Sequence, residues 1–225
     1  MAGFIDALAR ASVPVIMELK PRDADGRDLF AGRTPAQLVA TYERLGAPCL
    51  SVVTGSWFGG DDALLREVAT LTERPILKKD FVTSERQIAA AKAQGAAAIL
   101  LTAELLPGSL TARLAAACRR HGVTAFVEVS DAGQLERLGD ASGCVVAVNN
   151  KDIRRRERGE ARIERSLELL PAVVRSGAEF AVSAGGIADP HAATRLLDAG
   201  YDALLIGTAL LRGMPRTAST EAGGW

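Results

Sequence analysis

The chain has 225 residues, of which 48% are apolar, and it carries 27 basic and 27 acidic side chains. This length and composition suit a single large α/β domain with a substantial core. Because the net charge is zero, nothing favours binding to nucleic acid or to an anionic membrane surface. No apolar run reaches the roughly 18 residues of a membrane span, and the first ten residues lack the layout of a signal peptide.

The three cysteines are odd in number and widely separated, at Cys49, Cys118 and Cys144. This pattern indicates reduced thiols in a cytoplasmic protein and argues against a disulfide framework. No spacing of His, Cys and Asp residues suggests a metal site, and no motif indicates a cofactor. We therefore expect a cytoplasmic monomer or homodimer that acts on a small molecule without metal or cofactor.

Short apolar runs alternate with helical patterns along the chain. Thr34 followed by Pro35 is a typical helix start, and glycines such as Gly46, Gly95 and Gly122 end the helical patterns. A short amphipathic segment over 4–11 precedes the first strand. The sequence predicts strands over 13–18, 49–53, 75–78, 97–101, 124–129, 145–148, 180–183 and 203–206. It predicts helices over 34–45, 62–71, 84–94, 109–121, 131–138, 163–174 and 190–199.

Eight strands of continuous apolar character are typical of a parallel sheet that is buried on both faces. In a chain of this length they predict a (β/α)₈ (TIM) barrel, over about residues 13–212 of a single domain spanning 1–225. The pattern also predicts a shortened amino-terminal extension, a short or missing last helix, and a small, polar tail open to disorder.

In this architecture the chemistry lies at the carboxyl ends of the strands. A lysine among other cations and apolar walls is expected to have a lowered pKa and to donate a proton, and a carboxylate opposite can accept one. The alternative is that these charges form structural ion pairs that close the barrel top. The charged residues at predicted strand ends are Glu18, Lys20, Lys79 and Glu128.

Glycines follow the last two strands, at Gly185, Gly186 and Gly207, and Thr208 comes next. Glycines allow close approach of the backbone, and free amides near a helix start attract phosphate. The loops after strands seven and eight are the usual phosphate site of these barrels. The alternative is that the glycines serve tight turns only.

Several motifs at these strand ends carry a resemblance to a known family. They are Glu18-Leu19-Lys20, Ser51-Val52-Val53-Thr54, Phe58-Gly59-Gly60, Lys79-Asp80-Phe81, Val127-Glu128-Val129, Val148-Asn149-Asn150 and Ser183-Ala184-Gly185-Gly186-Ile187. In these motifs the chain from about residue 13 to 212 resembles indole-3-glycerol-phosphate synthase. The Lys-Asp-Phe and Val-Glu-Val pieces, with the Phe-Gly-Gly loop before them, are specific to that family.

The resemblance implies ring closure of a carboxyphenylamino-deoxyribulose phosphate, with loss of carbon dioxide and water, to give an indole. It implies that Lys79 is the general acid and Glu128 the general base. Lys20 would bind the aromatic carboxylate, and Glu18 would hold the lysines in place. Asn149 would contact the substrate hydroxyls. The substrate-binding residues implied are Phe58, Asn149, Lys151, Gly185, Gly186, Gly207 and Thr208.

Some positions depart from the family pattern. The family's Ser-Pro-Ser is Asp23-Ala24-Asp25 here, which places negative charge where a phosphate would rest, and its arginine is Lys151. Its Glu-Ser pair is Ala184-Gly185. The basic run from Arg154 to Arg158 reads as a solvated loop, or as a lid that steers phosphate. These departures leave open a non-catalytic phosphosugar binder descended from the synthase. A different phosphosugar enzyme, such as an isomerase, is less well matched because Asn149 ends strand six.

Overall fold

In the computed structural model, which describes residues 3–155 and 157–215, eight parallel strands close into a barrel. Each strand pairs with the next along the chain, and β8 pairs with β1, so no strand edge is left unpaired among them. The predicted (β/α)₈ barrel is confirmed. The strands are β1 Val15–Leu19, β2 Leu50–Val53, β3 Ile76–Lys79, β4 Ala98–Thr102, β5 Thr124–Val129, β6 Cys144–Asn149, β7 Phe180–Ala184 and β8 Ala203–Ile206.

Helices connect the strands and cover the outside of the barrel. Side chains cap several of them: Thr34 and Gln37 form a capping box at α2, and Asp61 and Asp131 accept backbone hydrogen bonds at the starts of α3 and α6. The helices are α1 Phe4–Ala9, α2 Pro35–Arg44, α3 Asp62–Leu71, α4 Glu85–Ala93, α5 Leu110–Arg120, α6 Ala132–Leu138, α7 Ile163–Arg175, α8 Pro190–Ala199 and α9 Thr208–Gly213; a 3₁₀ turn spans Ser56–Phe58.

The predicted elements are all present, with ends that differ by at most two residues. The last helix is short, as predicted, with six residues. The tail predicted to be open to disorder lies outside the described residues from 216 onward. No helix in the described part of the chain is both long and apolar enough to cross a membrane.

The amphipathic segment before β1 has a structural role. It forms α1, whose Phe4 and Leu8 are buried in the same apolar cluster as Ile16, Leu77 and Phe126 from inside the barrel. The rings of Phe4 and Phe126 meet edge to face, with centroids 6.3 Å apart. Because the strand ends that carry the charged residues are at the other end of the barrel, α1 closes the end away from them.

We expect Phe4→Ala to lower the free energy of unfolding by about 3 kcal/mol, because it removes a fully buried ring and leaves a cavity. Ile5→Ala, which truncates a partly buried neighbour on the same helix, is the control and should cost clearly less. Urea denaturation followed by circular dichroism measures both. A loss below about 1 kcal/mol for Phe4→Ala would show that α1 does not close the barrel.

Candidate active site

Side chains from four strand ends converge in the mouth of the barrel. Glu18, Lys79, Glu128 and Asn149 lie at or next to the carboxyl ends of β1, β3, β5 and β6. Strand alternation decides which of two adjacent lysines enters the site. Lys78 points outward and pairs with Asp62 of α3, whereas Lys79 points into the barrel and lines its cavities.

Lys79 is surrounded by carboxylates. Its Nζ lies 3.6 Å from Glu18 Oε2 and 3.4 Å from Glu157 Oε1. Burial alone would lower the pKa of Lys79, but the charges of Glu157, Glu18 and Glu128 raise it above its ordinary value. The expectation of a lowered pKa is therefore wrong for this arrangement. The lysine is therefore held as an ammonium, and its raised pKa makes it a weaker acid than a free lysine.

Glu128 has the opposite balance. Burial raises the pKa of its carboxyl, and the nearby Lys79 and the amide of Asn149 only partly oppose this effect. A carboxylate whose pKa is raised is a better proton acceptor near neutral pH. The two residues assigned as acid and base thus lie in one buried cluster, and the pKa of each is raised.

Lys20 has two partners in the mouth. Its Nζ donates to Glu157 Oε2 at 2.6 Å and lies 3.8 Å from the centroid of the Phe58 ring. Ser51 Oγ, on β2, donates to Glu18 Oε2 at 3.4 Å. Glu18 therefore stands between Lys79 and Ser51, and the carboxylate of Glu157 joins Lys20 to Lys79.

Glu157 is the site residue that sequence reasoning missed. The basic run around it indicated a solvated loop, but its side chain is buried and its backbone is left-handed, with φ of 59°. Burial alone would raise its pKa, but Lys79 and Lys20 lower the pKa of Glu157 to about 2. No charge count could reveal it, because the strand-end residues predicted for the mouth are two lysines and two glutamates, which already balance.

A cavity of about 450 Å³ opens beside these charges, where β7 and β8 end. Gly185 and Gly186 have positive φ values of 82° and 71°. A Cβ at Gly185 would lie 2.4 Å from Asn149 Oδ1, and one at Gly207 would lie 2.6 Å from Glu18 Oε1. These two glycines therefore let the cavity wall approach the charged cluster more closely than other residues would allow.

The rim of this cavity is basic. Lys151 donates from its Nζ to the backbone oxygen of Glu157 at 3.1 Å and from its backbone to Asn149 Oδ1. Thr208 and Arg212 of α9 also line the cavity. Arg212 donates to Asp23 at 2.6 Å. Asp23, the acid expected to repel a phosphate, is therefore paired with the Arg212 guanidinium.

A second, apolar cavity lies on the other side of Lys79 and Glu157. Its volume is only about 20 Å³, and Glu128 lines it. The hydroxyl of Thr102, the last residue of β4, has no hydrogen-bond partner among the described residues although it is buried. The apolar side chains that line this cavity are Val53, Phe58, Phe81, Leu100 and Ile153.

The Glu157 ion pairs predict a pH dependence of stability. Because its folded-state pKa of about 2 is below the ordinary 4.5, the charged carboxylate stabilises the fold above about pH 4.5. This contribution, about 3 kcal/mol at most, is lost as the pH falls toward 2. We expect the difference in free energy of unfolding between wild type and Glu157→Gln to shrink over that range, as measured by urea denaturation at each pH. Glu160→Gln, on the exposed part of the same loop, is the control; parallel profiles for wild type and Glu157→Gln would contradict the assignment.

Comparisons with known proteins agree with this geometry. Residues 1–222 match the family model described as "Indole-3-glycerol phosphate synthase". The chain is 36% identical over 211 residues to indole-3-glycerol phosphate synthase 2 of Streptomyces coelicolor, covering 93% of this chain and 80% of that protein. It is 33% identical over 199 residues to the Thermococcus kodakarensis indole-3-glycerol phosphate synthase, covering 88% and 86%.

Two further matches are more limited. The chain is 33% identical over 213 residues to "Tryptophan biosynthesis protein TrpCD" of Archaeoglobus fulgidus, but it spans only 38% of that protein. Among solved structures, the tryptophan synthase α-subunit of Pyrococcus furiosus superposes with a TM-score of 0.62 over 88% of this chain and 89% of that one. At 16% identity that likeness shows the shared barrel fold alone. The family match and the curated relatives show that this chain belongs to the indole-3-glycerol phosphate synthase family.

Proposed function

We propose that this protein converts 1-(2-carboxyphenylamino)-1-deoxyribulose 5-phosphate, or a modified analogue, into an indole glycerol phosphate. It is an enzyme of the carbon–carbon lyase type, as its family is. The observation that carries the proposal is the buried cluster in which Lys79 and Glu128, an acid and a base, face one mouth beside a glycine-lined cavity.

The first step forms a carbon–carbon bond. The ring carbon that bears the carboxylate attacks the ketone carbon of the sugar chain, and the electron pair of the carbonyl moves to its oxygen. Lys79 donates a proton to that oxygen, which a buried ammonium among carboxylates is placed to do. Breaking the bond to the carboxylate then releases carbon dioxide and returns an electron pair to the ring.

The second step removes water. Glu128 accepts a proton from the ring carbon next to the nitrogen, the new hydroxyl leaves and takes up that proton to become water, and the ring becomes an aromatic indole with Glu128 regenerated. Its raised pKa suits this role, because a base is most effective when its pKa is near the working pH. Asn149 lies beside Glu128 and is available to the hydroxyls of the sugar chain.

The remaining residues hold the two ends of the substrate. Lys20 binds the aromatic carboxylate of the substrate, and Phe58, whose ring contacts Lys20, packs beside the aromatic ring of the substrate. Gly185, Gly186, Gly207, Thr208 and Lys151 bind the phosphate in the larger cavity, where backbone amides and a lysine are accessible. Glu18 fixes Lys79 in place. We also place the enzyme in the cytoplasm, as a single-domain monomer or homodimer, since its three cysteines are free and buried.

A non-catalytic phosphosugar binder is the second candidate. Two observations favour it: Lys20 is already paired with Glu157, and the apolar cavity is too small for a ring. Intact Lys79 and Glu128 favour the enzyme, because a binder needs no buried acid and base. Turnover of the synthase substrate separates the two candidates.

We expect Lys79→Met to reduce indole formation by at least about a hundredfold, because it removes the proton donor. Lys78→Met is the matched control: it is the adjacent lysine on the same strand, it points away from the mouth, and it should keep most of the activity. Product fluorescence measures the rate, and circular dichroism checks the fold. Equal rates in wild type and Lys79→Met, or no rate in either, would favour the binder.

We expect Asp23→Asn to tighten binding of inorganic phosphate by about threefold or more, because it releases Arg212 from its ion pair at the edge of the cavity. Asp25→Asn is the control, since that acid pairs with Arg27 on the surface instead. Isothermal titration calorimetry measures both. Unchanged affinity in Asp23→Asn would place the bound phosphate out of reach of Arg212.

A further inference from the structure

We infer that the carboxylate of Glu157 occupies the subsite of the substrate's aromatic carboxylate, so that the substrate binds by exchanging with it. The inference rests on the proposed function, in which Lys20 receives that substrate group. The inference adds that Glu157 competes with the substrate for this subsite and so sets the affinity of the site for the substrate. Three features of the mouth lead to it: the two cavities, the contacts of Glu157 and the attachment of its loop.

The two cavities show that Glu157 blocks the path of the substrate. Among the described residues, Lys79 and Glu157 are the two that line both the glycine-lined cavity and the apolar cavity. A ligand with phosphate at one end and an aromatic ring at the other must pass between these cavities. It must also place its reacting carbons next to Lys79. The position that Glu157 occupies lies on that path.

The size of the apolar cavity also indicates that the loop must move before a substrate can bind. Its volume of about 20 Å³ is far below the roughly 150 Å³ of a cavity that holds benzene. Ile153, from the same loop as Glu157, fills part of this space and is buried. A ring can therefore enter only when the loop that carries Ile153 and Glu157 has moved outward.

The contacts of Glu157 are those expected of a bound carboxylate. One oxygen accepts from Lys20 at 2.6 Å, and the other lies 3.4 Å from Lys79. In the proposed function the aromatic carboxylate of the substrate pairs with Lys20, while Lys79 lies next to the ketone oxygen and keeps Glu18 as a partner. Exchange of one carboxylate for another keeps both lysines paired, so it avoids the cost of leaving a buried charge without a partner.

The loop is attached in a way that allows such an exchange. We call residues 152–155 and 157–159 the strap. Its outer attachments are an ion pair between Arg154 and Glu104 and a hydrogen bond from Arg158 to the Ala24 oxygen, both with exposed arginines. The positive φ of Glu157 adds strain of about 1 kcal/mol, which outward movement can release.

The bases of the strap are, in contrast, firmly held. Asn150 bonds to Ser183 and to Ser166, which are buried, and Arg165 donates to the backbone oxygens of Asn149 and Lys151. Movement of the strap therefore leaves the ends of β6 and β7 in place. Asn149 keeps its position in the mouth while Glu157 leaves it.

Glu157→Gln tests the inference. The probe is 2-aminobenzoate, whose own fluorescence reports binding, and inorganic phosphate is the second ligand. Because the apparent dissociation constant equals the intrinsic one divided by the fraction of open sites, we expect 2-aminobenzoate to bind about tenfold or more tightly to Glu157→Gln than to wild type. Phosphate affinity should stay within about twofold. Glu160→Gln is the matched control and should behave as wild type.

Turnover provides a readout that a purely structural role of Glu157 would not give. The KM of Arg154→Ala should fall while its kcat changes by less than about threefold, because this exposed arginine only holds the strap and lies outside the buried cluster. Arg154→Ala, which only releases the strap at an exposed ion pair, should shift 2-aminobenzoate binding in the same direction. It keeps the inference testable if Glu157→Gln does not fold.

Unchanged or weaker binding of 2-aminobenzoate in both variants would overturn the inference and make Glu157 a permanent part of the site. A loss of kcat with unchanged KM in Arg154→Ala would overturn it as well. Failure of the proposed function is distinguishable from these results. Tighter 2-aminobenzoate binding by Glu157→Gln without indole formation by any variant would leave the exchange supported and the synthase reaction rejected.

Discussion

Lys79 is buried among three carboxylates at the mouth of the barrel, and the rest of the site depends on this interaction. Moving an ammonium group and its partners out of water is costly unless the geometry is tight and the partners are complementary. The barrel meets this requirement because Glu18, Lys79 and Glu128 come from three separate strands of one closed sheet. The spacing of these three residues is fixed by backbone pairing, whereas the third carboxylate, Glu157, comes from the loop after β6.

The same interaction affects the pKa of both Lys79 and Glu128, the proposed acid and base. The positive charge of Lys79 is balanced by several carboxylates, which keep the lysine protonated. Glu128 instead shares the one cation of Lys79 with Glu18 and Glu157. Neither property belongs to the residue type alone. Each follows from how many opposite charges the fold brings within reach.

The fold was predictable from the sequence because its signals are local. Apolar runs and caps such as Thr34 with Gln37 mark the elements directly, and eight such units leave few alternatives. The strand-end residues were predictable for the same reason, since the carboxyl end of each strand lies on one face. The role of α1 was not, because the contact of Phe4 with Phe126 joins positions far apart in the chain.

Loop residues were harder to predict, for a physical reason. Glu157 sits in a stretch whose composition indicates solvent exposure, and long-range contacts with Lys20 and Lys79 override that composition. The pairing of Asp23 with Arg212 is equally non-local, and it changes the meaning of an acid near the phosphate cavity. The predicted direction of the Lys79 pKa shift was wrong because it weighed burial and nearby cations, whereas the charges of Glu157, Glu18 and Glu128 outweigh burial.

Gly207 couples the two halves of the site. A Cβ there would meet Glu18, the carboxylate that positions Lys79, so this position cannot gain a side chain without disturbing the proton donor. Selection for a new phosphate specificity, in nature or in a directed-evolution library, is therefore closed off at this wall of the cavity. Adaptation to a different sugar phosphate must instead proceed through rim positions on α9, such as Thr208 and Arg212, which line the cavity.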